Sequence, residues 1–278
     1  RLEILTEGLL TRRLQDDPFL EGVHTVILDE LHERSLTLDL ALALCAEVRR
    51  EARPDLWLVV MSATMDPEPV ARFLDAPILR AEGRAYPVTL RHDPRPDERP
   101  LHERVAGAIR AELPDEGHLL AFLPGVGEIQ RVMETLGDLP DVEVLPLHSR
   151  LSLEQQARAL APSTRRKIVL ATNIAETSVT FPGVRAVVDS GLERVMRYEP
   201  ALGLERLELG PIATSSADQR AGRAGRTQAG VVYRLWDARD RLRPHREPEI
   251  LRVDLAGPLL DVVAVSYTHL TLPTNREV

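Results

Sequence analysis

Two adjacent carboxylates, Asp29 and Glu30, end the apolar run Val26-Ile27-Leu28 and lead into Leu31-His32-Glu33-Arg34. One carboxylate of such a pair can hold Mg²⁺ while its neighbour orients or deprotonates an attacking water. A run of that kind suits a buried parallel strand, and in open α/β sheets the working groups sit just beyond the carboxyl ends of the strands. The plainer alternative is a strand end followed by a solvated helix start, where acids favour the helix N-terminus. A second chemically loaded stretch is Gln219-Arg220-Ala221-Gly222-Arg223-Ala224-Gly225-Arg226. Arg223 and Arg226 lie three apart, which on a helix puts both guanidiniums on one face. The small residues between them let another surface approach closely. Two forked cations there suit a triphosphate whose transferring group is stabilised by arginine. A basic surface helix, or one that binds RNA phosphates, fits the same residues.

The elements that must position these groups alternate in type. Residues 1–8 read as a strand end and a turn, and 9–14 as a short helix. A helix from about 35 to 53 carries Leu36, Leu40, Ala43 and Leu44 on one face. Residues 56–61 form an apolar strand ending in Ser62-Ala63-Thr64, a turn able to cap the short helix 65–74. After a break near Glu82-Gly83, strands are expected at 86–91, 118–123, 142–147, 167–171 and 184–189. Helices are expected after Leu101, at 126–136 and at 153–160, and a proline-rich exposed loop at 93–100. This alternation argues for parallel α/β layers. Residues 194–209 read as a hairpin turning near Ala201-Leu202-Gly203, and 251–263 as a helix.

Composition bounds the function classes. The 278 residues are 44% hydrophobic and 28% charged, an ordinary globular profile. No apolar stretch approaches the ~20 residues that span a bilayer. Cys45 is the only cysteine, so no internal disulfide forms, and a reducing cytoplasm fits. The net charge of −8 does not advertise nucleic-acid binding, although a phosphate-tracking groove needs only a local basic lining. Lys167, the only lysine, lies in Arg166-Lys167-Ile168 and reads as compositional bias. These residues therefore contain no Gly-Lys-Ser/Thr phosphate-binding loop.

Asp-Glu-Leu-His, Ser-Ala-Thr, Ala171-Thr172-Asn173-Ile174-Ala175-Glu176-Thr177-Ser178-Val179-Thr180 and Gln-Arg-Ala-Gly-Arg-Ala-Gly-Arg occur in this order. As a set they resemble the DEAH-box branch of superfamily 2 helicases. Val187-Val188-Asp189-Ser190-Gly191-Leu192-Glu193-Arg194 and Tyr233-Arg234-Leu235-Trp236 are similar to the bacterial HrpB type within that branch. Leu31 departs from the family's usual alanine, which implies altered packing, not lost activity.

The resemblance implies a role for each matching position. Asp29 holds Mg²⁺ through water, Glu30 is the general base for the hydrolytic water, and His32 links the nucleotide site to the second unit through Gln219. Arg223 and Arg226 are arginine fingers. Ser62 and Thr64 couple ATP hydrolysis to unwinding. Thr6, Glu7, Gly8, Thr172, Thr177 and Thr180 contact the backbone of single-stranded nucleic acid, RNA in first place. The implied fold is two RecA-like parallel-sheet domains. Residues 1–82 form the C-terminal part of the first, 83–242 the second, and 243–264 the start of a winged-helix region. The implied parent is a cytoplasmic ATP-dependent 3′-to-5′ helicase with no membrane association. Without the phosphate-binding loop this chain is expected to be inactive, and a nucleic-acid-binding clamp or partner-docking fragment is the rival. Residues 265–278 resemble the translation of a sequencing adapter. There Ser266-Tyr267-Thr268 and Pro273 are expected to interrupt the preceding helix, and residues 265–278 to lack a packed partner.

Overall fold

The computed structural model describes residues 1–81, 86–93, 97–176 and 181–271. The chain divides into two compact units, one of residues 1–79, 196–206 and 246–278, the other of 80–195 and 207–245.

In the first unit, helix α1 spans Glu7–Asp16, strand β1 Thr25–Leu28, helix α2 Leu36–Glu51, strand β2 Trp57–Val60 and helix α3 Glu68–Leu74. The expected helix at 9–14 is present and extends from Glu7 to Asp16, and residues 1–6 lie in no strand. Thr6 adopts an extended N-cap conformation, and its carbonyl accepts from the amides of Leu9 and Leu10. Strands β1 and β2 pair in parallel, Thr25 opposite Trp57 through Leu28 opposite Val60. Val26 and Leu28 pack into a core with Leu38, Leu42, Cys45 and Val48 of α2. Burial of the Cys45 thiol pushes its pKa up to about 12. The expected fully buried strand is buried on one face only. Ile27 is 52% exposed and Trp57 72%, because among the described residues helices cover a single side of this sheet.

Helix α8, Ala256–Thr271, starts later than expected and runs through Ser266-Tyr267-Thr268 without interruption. Each of those residues costs a helix only a few tenths of a kcal/mol against alanine, too little to stop one already propagating. Residues 272–278, and the side chains from 264 onward, lie outside the described set, so the expectation that residues 265–278 lack a packed partner falls there.

The second unit holds β3 Val88–His92, α4 Leu101–Glu112, β4 His118–Phe122, α5 Val126–Leu136, β5 Val142–Leu147, α6 Leu153–Leu160, β6 Arg166–Ala171, β7 Val184–Asp189, α7 Thr214–Gly222 and β10 Gly230–Arg234. Among the described residues its sheet has six strands, all parallel, in the order β3-β10-β7-β4-β6-β5. Successive residues of the central strands enter different cores. Leu119, Ala121, Ile168 and Leu170 face α4 and α5. Leu120, Phe122, Val169 and Ala171 face Ala159 of α6 and Ala221 of α7. Both faces are covered, so β4 is buried at every position; this is why it reads as a continuous apolar run. The expected break near Glu82-Gly83 lies outside the described residues.

Strands β8, Leu192–Glu199, and β9, Leu204–Pro211, form the expected hairpin. Helix α6 opens with a capping box, Ser152 accepting from the Gln155 amide while the Gln155 side chain accepts from the Ser152 amide. Lys167 has a structural task at the other end of that helix. It is buried, and Nζ donates to the carbonyls of Arg158 and Ala161 at 2.9 and 2.8 Å, satisfying C-terminal carbonyls that the helix cannot pair itself.

Candidate nucleotide and nucleic-acid site

The acid pair sits in a tight turn between β1 and α2. Asp29 is exposed, and its Oδ1 accepts from the Glu30 amide at 2.8 Å. Glu30 lies in the left-handed region, with φ 58°, and so does Arg34, with φ 53°; a 3₁₀ turn, Leu31–Glu33, runs between them. For side chains with a Cβ that conformation costs about 1–2 kcal/mol each, so the surroundings must hold it. Leu31 donates its amide to Met61 O at 3.1 Å, and Arg34 donates to Leu31 O. The Arg34 guanidinium grips Asp39 of α2 at 3.0–3.2 Å.

His32 is buried, and its Nδ1 accepts from the Ala63 amide at 3.4 Å. That acceptor role assigns the ring proton to Nε2. Nε2 lies 3.0 Å from Glu30 Oε2, but the approach is not aligned with the N–H, so it is a close contact short of a hydrogen bond. The same turn places Ser62 Oγ as acceptor for the Met65 amide at 3.4 Å. Ser62 therefore closes its own turn and does not cap α3, which begins at Glu68 after Pro67. Thr64 is half-buried beside it.

Of the expected strand contacts in this unit, Thr6 and Gly8 are exposed, and a side chain at Gly8 would meet nothing within 4 Å. Glu7 differs from them, because its carboxylate accepts from the Ser35 hydroxyl at 2.6 Å and is already engaged.

In the second unit the working groups gather at the carboxyl ends of β6 and β7. Thr172 is half-buried directly after β6. Thr177 and Thr180 lie outside the described residues. Asp189 ends β7 in register with Phe122 of β4 and Arg234 of β10. Gly191 follows with φ 72°, and a Cβ there would stand 2.6 Å from the Trp236 ring, so glycine is required twice over.

Helix α7 ends at Gly222, so Arg223 and Arg226 do not share a helix face. The run Gly222-Arg223-Ala224-Gly225 leaves the helix because its glycines favour termination. Arg223 is buried, with both Nε and Nη2 donating to Glu176 O. Arg226 is exposed and Gln219 half-buried.

Three residues to which sequence reasoning assigned no role form the centre of this unit. Arg220 is 1% exposed and donates to Glu176 Oε2 at 3.1 Å and to Asp189 Oδ1 at 2.8 Å. Its guanidinium also stands 4.9 Å from the centroid of the Phe122 ring. Burial opposes its charge, but Asp189 and Glu176 outweigh burial and hold its pKa above the ordinary arginine value. The available signal was arithmetic: Arg220 precedes Arg223 and Arg226 at the same three-residue step, and Asp189 is a lone acid ending an apolar strand.

The donor set fits a hydrated Mg²⁺ ion and not an all-protein metal cage. Among the described residues no cluster of three metal-ligating side chains occurs. Mg²⁺ keeps most of its waters and needs only one or two carboxylates beside phosphate oxygens, which an exposed Asp29 can supply.

Residues 105–228 match the helicase conserved C-terminal domain. The chain is 49% identical over 271 residues to the ATP-dependent RNA helicase HrpB of Escherichia coli, covering 95% of this chain and 34% of that protein. It is 41% identical over 276 residues to the ATP-dependent RNA helicase HrpA of the same organism, covering 95% of this chain and 21% of that protein. The crystal structure of the E. coli DExH-box NTPase HrpB superposes with a TM-score of 0.84 at 48% identity, over 95% of this chain and 34% of that one. The chain thus spans about a third of the length of HrpB and less of HrpA. Its second unit has the RecA-like fold of the helicase C-terminal domain, and by sequence and fold together the chain belongs to the DEAH-box helicases.

Proposed function

We propose that these residues form the motor centre of an ATP-dependent RNA helicase. The observation that carries the reading is the wiring of the acid turn to the Ser62–Thr64 turn: Leu31 bonds Met61, and His32 accepts from the Ala63 amide while its Nε2 lies in contact with Glu30. A group that senses the state of the nucleotide has to be tied in this way to a segment that can move. In support, HrpB and HrpA are both named as ATP-dependent RNA helicases.

In this reading Asp29 would hold Mg²⁺ through water, and the ion would supply positive charge beside the phosphates. Glu30 takes the proton from the attacking water, with His32 restricting its carboxylate. Arg226 presents an exposed cation to the charge that develops on the transferring phosphoryl group. Arg223 fixes the segment that carries Arg226 by holding Glu176 O. Gln219 is proposed as a further nucleotide residue of the second unit. Thr6, Gly8, Thr172, Thr177 and Thr180 position a single strand through its backbone, without reading bases. A cytoplasmic setting goes with this reading, since Cys45 is a buried free thiol. Among the described residues no helix is long and apolar enough to cross a membrane.

The test is RNA-stimulated ATP turnover by a longer protein that carries this segment together with a phosphate-binding loop. Turnover that RNA does not stimulate, in a protein that still binds RNA, would leave the clamp as the better reading.

A further inference from the structure

A continuous line of polar contacts runs through the first unit from strand β8 of the hairpin to the residues that close the acid turn. Met196 O accepts from Arg252 Nη1 at 2.7 Å. Arg252 Nη2 lies 3.6 Å from Glu249 Oε1. Glu249 Oε2 accepts from the Leu36 amide at 2.8 Å, and the Glu249 amide donates to Arg34 O at 3.0 Å. Two further contacts fasten the same strap to the hairpin: the Tyr198 amide donates to Arg252 O at 2.6 Å, and Arg197 pairs with Glu247 at 2.7 Å.

The chemistry of the α2 end explains why Glu249 matters. A helix N-terminus exposes amides that its own turns cannot pair. Ser35 takes the Leu38 amide, which leaves Leu36 for Glu249. A carboxylate there is favoured by the helix dipole as well. The other bond from Glu249 falls on Arg34, one of the two left-handed residues that frame the acid turn. A strained conformation persists only where its surroundings over-determine it; the Glu249 main-chain amide supplies one such restraint at Arg34 O, and its carboxylate holds the nearby Leu36 amide.

We propose that Glu249 is a positioning residue for the acid turn. Through Arg252, it couples the geometry of Glu30 to that of strand β8 of the hairpin. This rests on the reading of Glu30 as the general base. Coupling of this kind is reciprocal: a change at the hairpin end must be felt at α2, and a change at α2 must be felt at the hairpin.

The experiment is site-resolved amide hydrogen exchange on the whole 278-residue chain, without nucleotide or nucleic acid. Leu42, inside α2, serves as the reference for global opening. Glu249→Ala is expected to speed exchange roughly 5- to 30-fold at Leu36, the effect of a capping bond lost. Exchange at Leu31, Arg34 and Tyr198 rises with it, and Leu42 moves less. Glu249→Gln keeps an acceptor oxygen and is expected to retain most of the protection. Arg252→Met is expected to speed exchange at Leu36. The proposal is overturned if Glu249→Ala affects Leu36 alone, if Leu42 accelerates equally, or if Arg252→Met leaves Leu36 unchanged. Failure of RNA-stimulated turnover in a longer protein would remove the catalytic role of Glu30 and leave this wiring intact, so the two failures are separable.

Discussion

The Arg220 guanidinium donates to Asp189 Oδ1 at 2.8 Å, with both side chains fully buried. It ties α7 to the end of β7, and through Glu176 to the turn that leads toward Thr177. The segment carrying Gln219, Arg223 and Arg226 is thereby anchored to the middle of the sheet.

Breaking that anchor is costly. Removing one partner of a buried ion pair leaves an uncompensated charge, worth about 3–5 kcal/mol. Arg220→Met is expected to lower the stability of the second unit by that order, read from urea unfolding of the chain. Arg220→Lys does not restore it, because one ammonium cannot reproduce a fork that reaches Glu176 and Asp189 at once. A stable Arg220→Met chain would show that the two carboxylates find other partners.

Arg223 and Arg226 are expected to separate on mutation. Arg223 is buried on Glu176 O and Arg226 is exposed. Arg223→Ala lowers the unfolding midpoint, and Arg226→Ala does not. In a longer, active protein Arg226→Ala costs about 10³–10⁵ in kcat, the range of arginine fingers. If RNA affinity falls with kcat intact, Arg226 is a phosphate clamp.

The Glu30→Gln exchange keeps the size of the side chain and leaves Asp29 for Mg²⁺. In the active protein it is expected to lower kcat by ~10²–10⁴ while nucleotide binding survives. The 278-residue chain itself, with no Gly-Lys-Ser/Thr loop, is expected to turn over ATP at background. Unchanged kcat in the Gln variant would move the general base elsewhere.

Stability is expected to fall as pH drops below about 6.5, the ordinary histidine value. Burial, then the Lys167 charge, pushes the His118 pKa down. His148 is lowered by burial and by Arg150. The unfolded chain therefore binds more protons than the folded one in this window. Stability present at pH 7 is lost as pH falls from 6.5 through the lower folded values. The geometry agrees, because His118 Nδ1 accepts from the Lys167 amide at 3.2 Å and a protonated ring would turn a donor on it. His118→Phe can keep the stacking on Phe181, whose ring lies 5.2 Å away. It is expected to flatten the slope of unfolding midpoint against pH, and an unchanged slope would put the titration at His148.

Much of the architecture is local and was legible residue by residue. The apolar runs of β4, β6 and β7, the helix at 153–160 and the Leu192–Pro211 hairpin follow from strand, helix and turn preferences that act over a few residues. The acid pair and the arginine run were legible by residue type and order. Their geometry was not. Glu7 and Gly8 looked alike as strand contacts until Ser35 claimed the Glu7 carboxylate. Arg223 and Arg226 looked equivalent until the helix ended between them and Glu176 claimed one. The residues that follow left-handed Glu30 are bonded to distant segments, Leu31 to Met61, His32 to Ala63, and Arg34 and Leu36 to Glu249, which no periodicity connects to them. Sequence determined which short elements form and which side chains are able to do chemistry, because torsional preference and burial pattern are local. Tertiary structure decided which of those side chains stay exposed for a ligand and which are buried on a partner, because a buried polar group takes whatever acceptor the fold brings near it.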